Sequence, residues 1–92
     1  MDEVEELVRH ARDLAEEVVG LAIELLSVGT DVAHVQGRYV AVAVELLTDA
    51  EAHSLLAAGG DQGALAALAS VTADLARLRD TARAESSRSG ES

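Results

Sequence analysis

The sequence predicts an all-α fold, an antiparallel three-helix bundle whose helices run up, down and up. Two glycine-rich stretches divide the chain into three segments of similar length, and apolar residues recur at spacings of three and four within these segments. Short connections between helices of matched length favour antiparallel neighbours. The positions of the glycine-rich stretches and the apolar periodicity therefore predict the same fold class.

The glycine-rich stretches are SVGTD at 27–31 and GGDQG at 59–63. Each combines a glycine that can end one helix with a residue that can cap the next, Thr30 in the first stretch and Asp61 in the second. We expect helices at about 2–28, 31–58 and 62–86, forming a single domain over 1–86. Residues 87–92 are polar and serine-rich, and we expect them to be a disordered tail.

The first and third segments have the periodicity of amphipathic helices. The predicted inward stripe of the first helix consists of Val4, Leu7, Ala11, Leu14, Val18, Leu21 and Leu25, widened by Val8, Ala15 and Ala22. The predicted stripe of the third helix consists of Ala64, Leu68, Val71, Leu75, Leu78 and Ala82.

The second segment contains YVAVAV at 39–44, which is apolar in every position. A strand of this kind would need sheet neighbours, and no second strand candidate exists. As a helix, the segment continues an inward stripe of Val32, Val35, Tyr39, Val42 and Leu46. The capping-box pattern TDAE at 48–51 leaves open a break near Thr48, which would give four helices. We expect a continuous or kinked helix because its length then matches its neighbours.

Acidic residues outnumber basic residues 17 to 7, and the formal net charge is −10. Nucleic acid and anionic membranes attract clustered Lys and Arg, so we expect neither as a partner. No thiolate metal site or disulfide can form without cysteine. The missing residue types (Lys, Asn, Phe, Pro, Cys and Trp) are typical of a GC-rich coding genome, a salt-adapted proteome or a designed sequence. The N-terminus is acidic and no apolar run reaches the ~18 residues of a membrane span, so we expect a cytoplasmic protein.

Two segments with similar sequence, VVGLAIELLS at 18–27 and YVAVAVELLT at 39–48, carry apolar residues outside the inward stripes. These outer residues are Val19, Ile23 and Leu26 in the first helix and Val40, Val44 and Leu47 in the second. Soluble monomers rarely expose such a patch. We therefore expect a homo-oligomer, a dimer, that forms through these residues. The alternatives are an interface with another helical protein, and cover of one outer stripe by the third helix.

Two sets of residues are candidates for binding a ligand. In the predicted hairpin, Asp49 and His53 come opposite Glu6 and His10, and such nitrogen and oxygen ligands suit Zn²⁺ or a dinuclear metal site. Ordinary solvated side chains would give the same pattern. Gly20 and Tyr39 are candidates for lining a small-molecule cavity. We expect no bound cofactor.

The stretch AHSLLAAGGDQGA at 52–64 resembles the active helix of histidine phosphotransfer domains, with His53, Leu55 and Gly63 at matching offsets. The resemblance covers about a dozen residues. It implies an acidic helical bundle in which an exposed His53 accepts a phosphoryl group from a kinase or response regulator. Leu56 stands where the family has Lys, and Ala57 where it has Gly, so the phosphoryl-pairing cation and the close approach of a partner are in doubt.

No nucleophile, base and orienting residue can be assembled into a catalytic set. The glycine-rich stretch at 59–63 lacks the Lys and Ser/Thr that follow a phosphate-binding loop. The sequence therefore predicts a non-enzymatic, self-associating bundle with a structural or protein-interaction role. A bundle that binds a metal or small molecule, and a degenerate phosphotransfer domain, are the alternatives.

Overall fold

A computed structural model describes residues 2–90 of the chain, which form three helices and no strand. Helix α1 is Glu3–Ser27, and helix α3 is Gln62–Gly90. Helix α2 runs through Val32–Val35, a π-helical turn at Gln36–Val40, and Ala41–Ala58. The predicted all-α, three-helix architecture is confirmed. Within residues 2–90, no helix combines the length and apolar character needed to cross a membrane.

An aspartate caps the start of each helix. The side chain of Asp2 accepts a hydrogen bond from the Val4 amide at 3.0 Å, and that of Asp61 accepts one from the Ala64 amide at 3.1 Å. At the start of α2 the cap is Asp31, which accepts from the His34 amide at 3.1 Å. Thr30 was the predicted cap there and is one residue too early. Each carboxylate also lies at the positive end of its helix dipole.

Two glycines reverse the chain between the helices. Gly29 has a φ of 91° and Gly60 a φ of 101°, a left-handed conformation that strains any residue with a Cβ. The amide after each glycine donates back into the preceding helix, from Thr30 to the Leu25 carbonyl at 3.0 Å and from Asp61 to the Leu56 carbonyl at 3.2 Å. These bonds satisfy carbonyls at the helix ends and make both turns tight.

Helix α3 continues past its predicted end at 86 and reaches Gly90. The predicted disordered tail is therefore helical at 87–90, and 91–92 lie outside the described residues. No glycine or proline interrupts 87–89, so the sequence carries no stop signal there. The preceding turn is held to the bundle, because the Ser86 hydroxyl donates a hydrogen bond to the Glu24 carboxylate of α1 at 3.2 Å.

The core follows the predicted stripes in α1 and α3. Its fully or nearly buried members in these helices are Val8, Ala11, Leu14, Ala15, Val18, Ala22 and Leu25 of α1, and Ala64, Leu68, Leu75 and Ala82 of α3. Thr72 is a buried polar residue, and its hydroxyl is satisfied by donating to the Leu68 carbonyl at 2.8 Å. Aliphatic packing along these two stripes therefore supplies most of the core.

Helix α2 departs from its predicted stripe at Val32, which is 61% exposed, and again after Tyr39. Val35 and Tyr39 are buried as expected, but the next buried residues are Ala43 and Ala50, while Val42 and Leu46 are only partly covered. The reason for the departure after Tyr39 is the π-helical turn, in which the Ala41 amide donates to the Gln36 carbonyl, five residues back. The wider turn holds an extra residue and rotates the helix that follows.

The four-helix alternative is not adopted. The chain passes through Thr48 as regular α-helix, and the Thr48 hydroxyl donates to the Val44 carbonyl at 2.8 Å. The irregular part of α2 is instead the π-helical turn, two turns earlier.

The bundle is flattened, with principal extents of 49 × 22 × 14 Å. Helix α3 packs more closely against α1 and against Ala41–Ala58 than these two pack against each other. The side of the bundle between α1 and Ala41–Ala58, here called the open side, is consequently the least closely packed of the three.

Candidate interaction site

A groove of about 620 Å³ runs between α1 and α2 on the open side of the bundle. We call it the α1/α2 groove. Its apolar or small lining residues are Ala15, Val19, Gly20 and Ile23 of α1 and Ala43, Val44 and Leu47 of α2, with Arg12 and Glu16 at one end.

The groove stays uncovered because of the angular spacing of residues around α1. Val18 and Ala22 are fully buried, so Val19 and Ile23, each one residue later, are turned by about 100° away from the core. Helix α3 lies on the other side of the bundle. Val19 is therefore 39% exposed, Ile23 61% and Val44 58%. A surface made of such side chains is chemically suited to apolar contact and to little else.

Gly20 deepens the middle of the groove. A Cβ built at this position would meet no heavy atom within 4 Å, so packing inside the chain does not require a glycine here. A glycine within a helix costs roughly 0.5–1 kcal/mol relative to alanine. The groove therefore combines protruding ridges at Ile23 and Val44 with a recess at Gly20.

An ion pair crosses the open side below the groove. Nη2 of Arg12 on α1 lies 3.1 Å from Oε2 of Glu51 on α2, and both side chains are about half exposed. Beyond this pair the open side continues as a second depression of about 650 Å³, here called the lower groove. The lower groove is lined by apolar side chains, among which Leu55 is 77% exposed, and by charged side chains. The apolar members are Val4, Val8, Leu55 and Ala58, and the charged members are Asp2, Glu5, Arg9, Arg12, Asp13 and Glu16.

The six predicted interface residues fall on or beside this surface. Val19, Ile23, Val44 and Leu47 line the α1/α2 groove. Val40 and Leu47 are partly buried against the core, and Leu26 is 40% exposed about one turn above Ile23. The structure thus brings most of the two outer stripes together into one surface. Their role as an interface remains a prediction.

The four candidate metal ligands do not converge. Within residues 2–90, no three His, Asp or Glu side chains lie close enough together to hold a metal ion. Glu6, His10 and Asp49 are exposed, and His53 is half-buried. The π-helical turn explains the error, since it turns Ala50 into the core and moves Asp49 off the inward stripe.

The structure places Gly20 and Tyr39, the two candidate cavity residues, in different surroundings. Gly20 lines the open groove, whereas the Tyr39 ring is fully buried in the core. The antiparallel register that pairs Arg12 with Glu51 sets Ala43 level with Gly20, two turns further along. Tyr39 lies one helical turn beyond Ala43, closer to the connection at Gly29 that joins α1 to α2.

Tyr39 instead belongs to a polar cluster with His34 and Glu85, the Glu85 cluster. The Tyr39 hydroxyl donates to Oε1 of Glu85, and Nε2 of His34 lies 3.0 Å and 3.2 Å from the two oxygens of the same carboxylate. The His34 and Tyr39 rings meet edge to face at 6.1 Å. The cluster ties the π-helical part of α2 to the last turns of α3.

The contacts in this cluster shift two pKa values. The hydrogen bond from Tyr39, supported by His34, holds the pKa of Glu85 below its usual value despite partial burial. Burial raises the pKa of Tyr39, and the hydrogen bond to Glu85 raises it further.

The sequence analysis did not predict Glu85 as the hydrogen-bond partner of Tyr39. A buried tyrosine needs a partner for its hydroxyl, and the register about Gly60 brings Glu85 within one turn of Tyr39.

The stretch that resembles a phosphotransfer helix lies at the end of α2 and in the turn after it. His53 is half-buried there, while Leu55 and Leu56 are exposed. A role for His53 as a phosphoryl acceptor remains a prediction. Comparison of the chain with protein-family models, with curated proteins and with solved structures finds no match.

Proposed function

We propose that this chain is a non-enzymatic interaction module that associates with a second copy of itself through the α1/α2 groove. The observation that carries the proposal is the uncovered apolar surface on which Ile23 and Val44 are each about three-fifths exposed. Water contact with such side chains is unfavourable, and burial against another protein removes it.

The energy available is enough for a weak dimer. The exposed fractions of Val19, Ile23, Leu26 and Val44 together amount to about two whole aliphatic side chains. Burying that surface in both copies would contribute about 6–12 kcal/mol. Loss of rotational and translational freedom on association costs roughly 4–15 kcal/mol. Because the gain and the cost are of the same order, we expect a dimer that dissociates on dilution.

Two properties of the surface favour a second copy as the occupant. The ridges at Ile23 and Val44 and the recess at Gly20 occur on one surface, so a two-fold arrangement can match ridges to recesses. The α1/α2 groove and the lower groove follow one another along the same side of α1, so a second copy can lie along the length of the bundle.

The dependence of association on salt distinguishes self-association from binding of a different protein. Two copies, each with a formal net charge of −10, repel one another, and salt screens that repulsion. Self-association should therefore strengthen as salt is added. An amphipathic helix with basic flanks from another protein would be attracted to this acidic chain, and its binding would weaken with salt.

The experiment is sedimentation equilibrium of the wild type and of the Ile23→Glu, Val44→Glu double variant. We expect the wild type to rise above its monomer mass of 9.5 kDa with increasing concentration, and the double variant to stay at that mass. Both variant side chains point away from the core, so circular dichroism should still report a folded helical bundle.

The matched control is Val28→Glu with Val32→Glu. These valines are 55% and 61% exposed, carry the same change of charge and lie outside the groove. The control variant should dimerise like the wild type. A wild type that stays monomeric at high concentration and high salt would refute the proposal, as would a double variant that associates as well as the control.

A further inference from the structure

The position of the Arg12–Glu51 pair restricts how a second copy can dock. Arg12 lies where the α1/α2 groove meets the lower groove and lines both, Glu51 lies 3.1 Å from it, and the two side chains are 59% and 49% exposed. Any copy that covers both grooves must therefore place some part of itself over these two charges. If that part carries opposite charges, the two buried charges gain new partners. If it is apolar, the two charges lose their contact with water and gain nothing in exchange.

A face-to-face dimer has two simple orientations. With the two-fold axis along the groove, α1 of one copy lies against α2 of the other, and every residue meets residues at its own height. With the axis across the groove, α1 lies against α1 and the copies are inverted, so residues below the axis meet residues above it.

The first orientation matches the charges. At the height of Arg12, the facing group is Glu51 of the partner subunit, and the same pairing occurs again by symmetry. The four charges then alternate in sign, so each has opposite neighbours across the groove and across the interface. Apolar residues at the height of Gly20 and Ala43 likewise face apolar residues. Glu16, one turn above Arg12, is exposed and lines both grooves.

The second orientation leaves the charges poorly matched. With the axis near Gly20, the height of Arg12 falls opposite the end of α1, where Val28 is exposed. The lower groove would extend past the end of the other copy. Leu55, which is 77% exposed, would then remain uncovered.

We propose that two copies dock with their two-fold axis along the α1/α2 groove, so that Arg12 of each pairs with Glu51 of the partner subunit. This inference rests on the self-association proposed above and specifies its geometry. Apolar contact supplies the affinity. The four charges, Arg12 and Glu51 of each copy, fix the orientation and favour identical partners.

The test uses the reversed variants Arg12→Glu and Glu51→Arg. The first carries acid at both positions and the second carries base at both, so each homodimer would gather four like charges. We expect each variant alone to dissociate at least about tenfold more readily than the wild type. An equimolar mixture should restore dimers with both chains, since each acid then faces a base across the interface. Native mass spectrometry distinguishes the mixed dimer by mass.

A third variant controls for damage to the fold. The double reversal Arg12→Glu, Glu51→Arg keeps the ion pair within the chain but inverts it. We expect this variant to dimerise with itself and to avoid the wild type, because a mixed dimer would oppose like charges. If the two chains mix statistically, the orientation is wrong although self-association stands. A wild type that never dimerises would overturn both the orientation and the proposed function.

Discussion

The Tyr39 hydroxyl provides a direct test of how α2 is held to α3. Replacement of Tyr39 by Phe keeps the buried ring and removes the hydrogen bond to the Glu85 carboxylate. A hydrogen bond to a charged acceptor contributes about 1.5–3 kcal/mol. Glu85 keeps His34 as a partner, and its side chain is 21% exposed, so water can replace part of the loss. We therefore expect a loss in the free energy of unfolding of about 1–2 kcal/mol.

That loss can be measured by urea unfolding followed by circular dichroism, and it corresponds to a fall in Tm of about 5–15 °C in a domain of this size. The dependence of this loss on pH shows whether it comes from the contact between Tyr39 and Glu85. The pKa of Glu85 is lowered from 4.5, so the carboxylate contributes stability above pH 4.5 and loses it as the pH falls through the lowered value. The pKa of Tyr39 is raised from 10.0, so the hydroxyl contributes below pH 10.0 and loses this as the pH rises through the raised value.

The difference between wild type and Tyr39→Phe should consequently be largest at neutral pH and shrink towards both extremes. Glu85→Gln serves as the partner variant in a double-mutant cycle, which isolates the coupling between the two side chains. A Tyr39→Phe penalty that persists unchanged well below pH 4.5 would mean that the hydroxyl stabilises the fold through something other than Glu85.

Four further outcomes are expected. Leu75→Ala should lower the free energy of unfolding by about 2–5 kcal/mol, since Leu75 is fully buried, whereas exposed Leu55→Ala should change it by less than about 0.5 kcal/mol; equal losses in urea titrations would contradict the assigned core. Gly29→Ala should cost about 1–2 kcal/mol because its φ of 91° is left-handed, and a thermal melt without loss would rule out that turn geometry. Gly20→Ala should stabilise the dilute monomer by about 0.5–1 kcal/mol, as open space surrounds the added Cβ; destabilisation of the monomer would argue against the open groove. Zn²⁺ should leave Tm unchanged, and a rise would mean that metal ligands come together in solution after all.

The sequence was sufficient to predict the helices and two of the three core stripes. Glycine stops at Gly29 and Gly60 and a three-and-four spacing of apolar residues are local signals, and the structure follows both. The capping residue of α2 was predicted one position too early, because Thr30 and Asp31 are both suitable caps and only the geometry of the preceding turn chooses between them.

The face of α2 that meets the core could not be predicted. Residues 39–47 are apolar nearly all round, so a regular helix could have buried Val42 and Leu46 as well as Ala43. The choice depends on the π-helical turn, which no residue type specifies. The same turn removed Asp49 from the inward side and thereby the predicted metal site. On α1 the outer position of Val19 and Ile23 could be predicted, because each follows a residue of the predicted inward stripe, whereas Val40 and Leu47 of α2 are partly buried against the core.

The π-helical turn also makes the length of the chain between Val35 and Ala43 a structural variable. Deletion of one residue from Gln36–Val40 would let the turn become ordinary α-helix and would keep the face that Ala41–Ala58 presents to the core, because the π-helical turn holds one extra residue. Rewinding of the turn to α-helix without a deletion would instead rotate Ala41–Ala58 by about 100° about its own axis. Valine and leucine would then replace alanine as the side chains facing α1 and α3. The extra residue thus decides between two internal packings that share the same three helices and both glycine turns.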